Sequence, residues 1–269
     1  MSGAPRPAGP DDVPCPFRLL VALCTAGWLA GCGGGSGAAS TPAPVPAPVP
    51  TAYVVDFSKE ANLAQFRVSD WYIADLGTTF SPANVALENG ELVLTLTQTL
   101  NPDGSVSNSG GEVSTVREFS YGTFEWVARM ASANGVSVSG NVSAVFLYKV
   151  DSSSGFATEI DFEQRGDHPT SIDLTTWERH ALSSRETNAV PLAGQFDGYH
   201  TYTFTWQPSA VTFSIDGVVV QQFYRFIGSI QPVPAFINLW GTNSPDWGGY
   251  ATAGTVRMYV KSFRYTPAG

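Results

Sequence analysis

The sequence is poor in charge. Its 269 residues carry 14 Lys and Arg and 23 Asp and Glu, with a formal net charge of -9. No basic patch is available for a polyanion, so nucleic-acid binding is excluded. A charged share of 14% is too low for a coiled coil or a charge-rich disordered chain. No long helical period runs through it. The three cysteines, Cys15, Cys24 and Cys32, all lie in the first 32 residues, which leaves the rest of the chain without a disulfide. About 215 residues must then hold together by burial alone, and that length builds a sizeable core. What is abundant instead is Gly, Thr, Val and aromatics, a composition that leans towards β structure.

The beginning of the chain reads as a targeting segment. Phe17 to Ala30 is a largely apolar run too short to span a bilayer comfortably, with Arg18 at its start and Arg6 upstream. It closes on Leu29-Ala30-Gly31-Cys32, which resembles a bacterial lipobox, in which cleavage precedes a cysteine that is then lipidated. The resemblance implies a lipoprotein signal peptide over 1–31, a lipid anchor on Cys32, and an exported protein held at the cell surface or the periplasmic face of a membrane. An ordinary signal peptide that contains a cysteine is the alternative. Residues 32–52 form a Gly/Ser/Pro-rich linker: Gly and Ser give flexibility, and the Ala-Pro and Val-Pro repeats favour extended chain. The folded domain is expected over 53–269.

From Tyr53 onward the signals are period-two runs cut by turn dipeptides. Asn89-Gly90 and Asp216-Gly217 each separate two such runs and predict hairpins with two-residue loops. Tyr121–Met130, His200–Trp206 and Thr255–Tyr265 read as strands. Tyr202, Phe204 and Trp206 share one face of theirs, with Thr201, Thr203 and Thr205 on the other. Many short strands without βαβ alternation predict an all-β antiparallel sandwich.

The segment richest in chemistry is Thr158-Glu159-Ile160-Asp161-Phe162-Glu163. In a strand, Glu159, Asp161 and Glu163 share one face while Ile160 and Phe162 point into the core. Three acids in a row repel one another, and their proximity raises at least one pKa. Retaining glycosidic cleavage needs two carboxyls about 5–5.5 Å apart. The Cα atoms of Glu159 and Glu163 lie roughly 13 Å apart along an ideal strand, so the side chains must lean together. The spacing alone leaves open a solvated acidic face or an edge strand guarded by charge. A calcium cluster fits less well, because carboxylates along a flat strand do not wrap an ion.

With its flanking blocks the segment resembles glycoside hydrolase family 16, in particular the licheninase-type β-1,3-1,4-glucanases, whose signature is Glu-x-Asp-x-Glu. Glu112-Val-Ser-Thr…Phe119-Ser-Tyr-Gly-Thr-Phe-Glu looks like the family's strand ahead of the catalytic one. Gly198–Pro208 and Ile215–Val218 are similar to its penultimate strands, and Asn238-Leu-Trp-Gly…Asp246-Trp-Gly-Gly to the loop lining its sugar groove. The resemblance implies a curved, concanavalin-like β-jelly-roll with substrate in a concave groove. It implies a retaining endo-hydrolase of β-1,3/1,4-linked glucan, acting outside the cell as a monomer. Glu159 would be the nucleophile, Glu163 the acid/base and Asp161 the residue assisting between them. Trp177, Trp240, Trp247, Trp71 and Glu112 would line the sugar site. A transglycosylase on the same scaffold and a non-catalytic envelope lectin are the alternatives; the intact acid set disfavours the lectin.

Some positions depart from the pattern or carry no function in this reading. Ser114 stands where the family commonly has Arg, and Thr175 where it has Asn, which puts subsite preference in doubt. Lys261 stands where licheninases often place a calcium-binding Asp, so that structural calcium is expected to be lost and no cofactor is expected. Trp126 and Trp206 read as core, and His200 as a structural histidine. His168 and His180 lack metal-ligand spacing, so no zinc site is expected.

Overall fold

The structure, a computed structural model, describes residues 51–60, 62–74, 76–132, 138–179, 181–192 and 198–269. The leader over 1–31, Cys32, nearly all of the linker and His180 lie outside the described residues. No helix among the described residues is long and apolar enough to cross a membrane. Among the described residues seventeen strands, numbered in chain order, build two sheets packed face to face, which agrees with the expected all-β antiparallel sandwich.

The outer sheet runs β15 (Val218–Phe223), β14 (Ala210–Ile215), β13 (His200–Gln207), β8 (Gly122–Ser132) and β17 (Gly254–Pro267). The far edge of β17 is shared by β6 (Glu91–Leu100) and β1 (Tyr53–Asp56). β5 (Val85–Glu88), β4 (Thr78–Phe80) and β3 (Trp71–Ile73) complete that side. The inner sheet runs β2 (Phe66–Val68), β7 (Val106–Phe119), β16 (Val233–Gly241), β9 (Asn141–Asp151), β10 (Phe156–Arg165), β11 (Ser171–Arg179) and β12 (Arg185–Pro191).

β7 serves both sheets. Its first residues pair with β4 and β6, and from Gly111 onward it pairs with β16. The corner falls at Gly110-Gly111, where neighbouring backbone crowds the turn. A Cβ on Gly110 would sit 2.4 Å from the Leu239 carbonyl oxygen, and one on Gly111 2.7 Å from that of Asn84. Only glycine lets the chain cross from one sheet to the other there.

The hairpins form at the expected dipeptides. Asn89 and Gly90 have φ of 52° and 80°, and Asp216 and Gly217 have 51° and 78°. Positive φ at both turn residues matches the right-handed twist of the flanking strands. On β13, Tyr202, Phe204 and Trp206 are fully buried, with the threonines on the opposite face. His200 is buried, and its Nδ1 lies 2.7 Å from Asp216 Oδ2, a structural pairing as expected.

The core is aromatic and lies between the sheets. Phe162, on β10, meets Phe213 edge-on at 5.2 Å between centroids and Tyr202 at 5.3 Å. Trp126 packs on Phe204 and Phe263. Full burial of each such side chain contributes about 1.5–3 kcal/mol. The core is therefore ample without a disulfide. It also fixes β10 in register: Ile160 and Phe162 are held from below, which turns Glu159, Asp161 and Glu163 to the other face.

One element departs from the sequence reading. The Glu112–Glu125 block spans two strands, β7 and β8, and β9 intervenes before β10. β9 is buried from Asn141 to Leu147 on both faces, so its burial does not alternate, and after Ser143 its sequence runs apolar without a period-two mark.

Candidate active site

The outward face of the inner sheet is built of rows of directly opposed residues. Tyr148 on β9, Glu159, Trp177 on β11 and Arg185 on β12 form one row. The next runs Arg67, Ser114, Phe236, Phe146, Asp161, Thr175 and Thr187. A third runs Glu112, Asn238, Ala144, Glu163, Asp173 and Ala189. A fourth begins with Trp240, Val142 and Arg165. Period-two alternation on five central strands thus gathers residues far apart in sequence onto one floor.

The three acids share one face of β10 as expected, and their surroundings rule out two simpler readings. β10 lies between β9 and β11, so it is not a charge-guarded edge. Nor is its acidic face solvated: Glu159 is 5% exposed and Asp161 3%. Phe146 and Phe236, stacked 5.1 Å apart, form an apolar floor beside Asp161. Burial pushes all three carboxyls upward. Repulsion from Glu163 adds to this at Glu159, and repulsion from both glutamates adds to it at Asp161. Glu163 is pushed up to about 8 by burial and by the Asp173 carboxylate, against Arg165 and Arg185. Buried carboxyls that oppose one another's ionisation share protons rather than ionising fully. One member can be an anion while another keeps its proton near neutral pH, which is the division of labour that general acid and nucleophile require.

The sequence-predicted sugar residues are distributed unevenly. Glu112 is buried, accepting from Ser69 Oγ at 2.7 Å and Asn238 Nδ2 at 3.1 Å. Burial pushes its carboxyl up, and hydrogen bonds from Ser69, Asn238 and Trp71 pull it back. Glu112 and Trp71 are therefore joined, and the Trp71 ring is 38% exposed beside them. Trp177 stands opposite Glu159 but is almost fully buried, with the Arg185 guanidinium 5.2 Å from its ring centroid.

Trp240 departs from expectation. It belongs to a strand rather than a loop and packs among Ile73, Leu76, Phe80 and Val142, with Trp247 against that cluster. At 3% exposure it supports the floor and offers no open ring face for a sugar. Trp247 is less buried, and the Arg165 guanidinium covers it at 4.7 Å.

The sequence reading missed Tyr148, Phe146, Phe236 and Asp173 as residues in the rows of the three acids. The first three lie on strands whose neighbours only the register reveals. Asp173 gave a faint signal, an acid set ten residues past Glu163 between the apolar Ile172 and Leu174. Ser114 and Thr175 both fall in the Asp161 row, and Thr175 Oγ1 bonds Thr187 Oγ1 at 3.0 Å.

No group of three or more metal-ligating side chains is found among the described residues. Lys261, on the outer sheet, places its ammonium 3.8 Å from the Tyr199 ring centroid.

A β-sandwich whose inner sheet carries a Glu-x-Asp-x-Glu strand with its acids on the outward face defines a class of acid/base site built for glycosyl transfer chemistry. Residues 74–255 match the family described as "Glycosyl hydrolases family 16", and the chain belongs to that family. A beta-glucanase of Acetivibrio thermocellus is 30% identical over 226 residues, covering 81% of this chain and 65% of the relative, just under two thirds of its length. The endo-1,3-1,4-beta-glycanase ExoK of Rhizobium meliloti is 28% identical, over 74% of this chain and 75% of its own. The solved structure of a Bacillus licheniformis beta-glucanase superposes with a TM-score of 0.70 at 23% identity, covering 82% of this chain and all of that one, which bears on the fold alone.

Proposed function

We propose that this protein is a retaining endo-glycoside hydrolase that cleaves β-1,3/1,4-linked glucan outside the cell by double displacement. The observation that carries the reading is the set of three carboxyls on one face of β10, between β9 and β11, with Glu159 and Asp161 buried and Glu163 half-buried. Glu159 attacks the anomeric carbon as the carboxylate. The glycosidic C–O bond breaks while the Glu163 carboxyl gives its proton to the leaving oxygen, forming a glycosyl-enzyme. Glu163, now a carboxylate, takes a proton from water; the hydroxyl adds to the anomeric carbon and Glu159 departs. Asp161 between them shares a proton with the nucleophile and offsets its charge. The dry floor of Phe146 and Phe236 strengthens each of these interactions.

The substrate is neutral, so the acidic excess serves solubility; residues 32–269 hold 21 acids and 12 bases. Glu112 with Trp71 is the pair best placed to bind a sugar, because it joins a polar anchor to an exposed ring. The three acids come from one strand, so the working unit is read as a monomer. No resident metal takes part, and Lys261 stands in the way of the one calcium that the family resemblance suggests.

Challenge with mixed-linkage glucan, laminarin, xyloglucan and agarose tests the reading. Cleavage of mixed-linkage glucan or laminarin to oligosaccharides supports it. Products longer than the acceptor would point to transglycosylation, and binding without cleavage to a lectin. The anchor is tested separately: Cys32→Ser is expected to abolish incorporation of labelled fatty acid and release the protein from membranes. Equal labelling of the variant would exclude the lipobox.

A further inference from the structure

β10 ends on Arg165, two residues beyond Glu163 on the same face. Across the ladder on β11, directly opposite Glu163, stands Asp173. Like charges placed opposite one another destabilise a sheet. Sheet stability alone would therefore not choose an acid at this position. Asp173 is held in place: Arg165 Nε donates to its Oδ2 at 2.9 Å. The same guanidinium lies 4.7 Å from the Trp247 centroid and 3.9 Å from Asp167 Oδ2. Arg165 and Asp173 are both largely buried, with side chains 14% and 10% exposed.

We propose that Asp173, kept ionised by Arg165, is a positioning residue that holds the proton on Glu163 until the leaving oxygen takes it. This rests on the reading of Glu163 as the acid/base. Burial tends to neutralise Asp173, and Arg165 is the strongest influence against that. An ionised Asp173 opposes loss of the Glu163 proton through space and needs no movement to do so.

The other groups around Glu163 account for its environment. Its own strand presents Glu159, Asp161 and Arg165. β9 presents Val142, Ala144 and Phe146, all uncharged, and β16 presents Asn238. β7 contributes Glu112, in the same row. Arg185 comes from β12. His168 and Asp167 flank Asp173 rather than Glu163. After burial itself, Asp173 is the largest influence on Glu163, and the arginines oppose it.

The test is the pH dependence of kcat/KM for wild type, Asp173→Asn and Asp173→Glu. Two substrates are used: mixed-linkage glucan, and a 2,4-dinitrophenyl β-glycoside of a gluco-oligosaccharide, whose leaving group needs no proton. On glucan the alkaline limb of Asp173→Asn is expected to move to lower pH by about half a unit or more, with the acid limb unmoved. Asp173→Glu should restore it. On the dinitrophenyl substrate the two profiles should coincide on the alkaline side. Coincident alkaline limbs on glucan, or equal displacement on both substrates, would overturn the proposal. Asp173→Asn leaves Arg165 with only its longer contact to Asp167 and could fail to fold. The double variant Arg165→Gln/Asp173→Asn removes both charges and should shift the limb the same way by less; a coincident limb there also overturns it. A wild type that cleaves no β-glucan removes the functional reading itself, whereas an active wild type with coincident limbs removes only the role of Asp173.

Discussion

Glu159→Gln should lose turnover on β-glucan by about 10⁴-fold or more while binding the polysaccharide nearly as well as wild type. The amide keeps the size and most of the hydrogen bonding of the carboxylate but cannot attack carbon. The loss should fall on kcat, because the carboxylate is needed in the transition state and little in the bound ground state. The nucleophile role has a chemical signature as well. Glu159→Ala leaves space on the face of the sugar that the carboxylate would attack. Added azide should fill it and yield a glycosyl azide of inverted configuration, since only one displacement then takes place. Calorimetric titration with oligosaccharide and assay of kcat check the first result. Wild-type rates in Glu159→Gln, or a retained azide from Glu159→Ala, would end the assignment.

Glu163→Gln should behave differently, and in two ways at once. On polysaccharide, loss of the acid should cost about 10²–10⁴-fold. On a dinitrophenyl glycoside, bond cleavage should be nearly unaffected and the glycosyl-enzyme should accumulate, visible as a burst of dinitrophenol. The wild-type alkaline limb on glucan, expected near the value of about 8 to which Glu163 is pushed, should vanish. The second consequence concerns stability. Glu163 has a folded-state pKa above its ordinary value of 4.5. Between pH 4.5 and about 8 the native state therefore binds more protons here than the unfolded chain, and stability falls as pH rises through that window. A glutamine has no such proton to lose. Glu163→Gln should thus be no more stable than wild type at pH 4 and increasingly more stable towards pH 8, by about 2–4 °C in Tm for each kcal/mol relieved. Scanning calorimetry at several pH values decides it. A Tm difference independent of pH would show that the carboxyl carries no burial penalty.

Much of the molecule was legible because local rules and tertiary structure agree. Asn89-Gly90 and Asp216-Gly217 supply the positive φ that their turns need, so the hairpins followed directly. β13 and β10 alternate cleanly because one face of each meets the aromatic core. What was not legible depends on register or on burial of both faces. β9 is buried on both faces of its first half, polar Asn141 and Ser143 included, so its burial carries no period-two mark. The Asp173–Arg165 pair lies ten and two residues from Glu163 in sequence, and becomes a single electrostatic unit only when β11 is aligned on β10. Trp240 and Trp247 look equivalent in sequence. Only the packing of Ile73, Leu76 and Phe80 around Trp240 separates a supporting ring from one nearer the surface. Glu112 with Trp71 was expected as two separate contacts, and the fold joins them through a hydrogen bond.

The central claim is double displacement by Glu159 and Glu163 at a β-glucosidic bond. Proton NMR of the reducing-end anomer released in the first minutes of mixed-linkage glucan cleavage, before mutarotation, tests it most directly. The account predicts the β-anomer first, with the α-anomer growing in only as the sugar equilibrates. An α-anomer appearing first would contradict it, because a single displacement by water would leave Glu159 without a nucleophilic role.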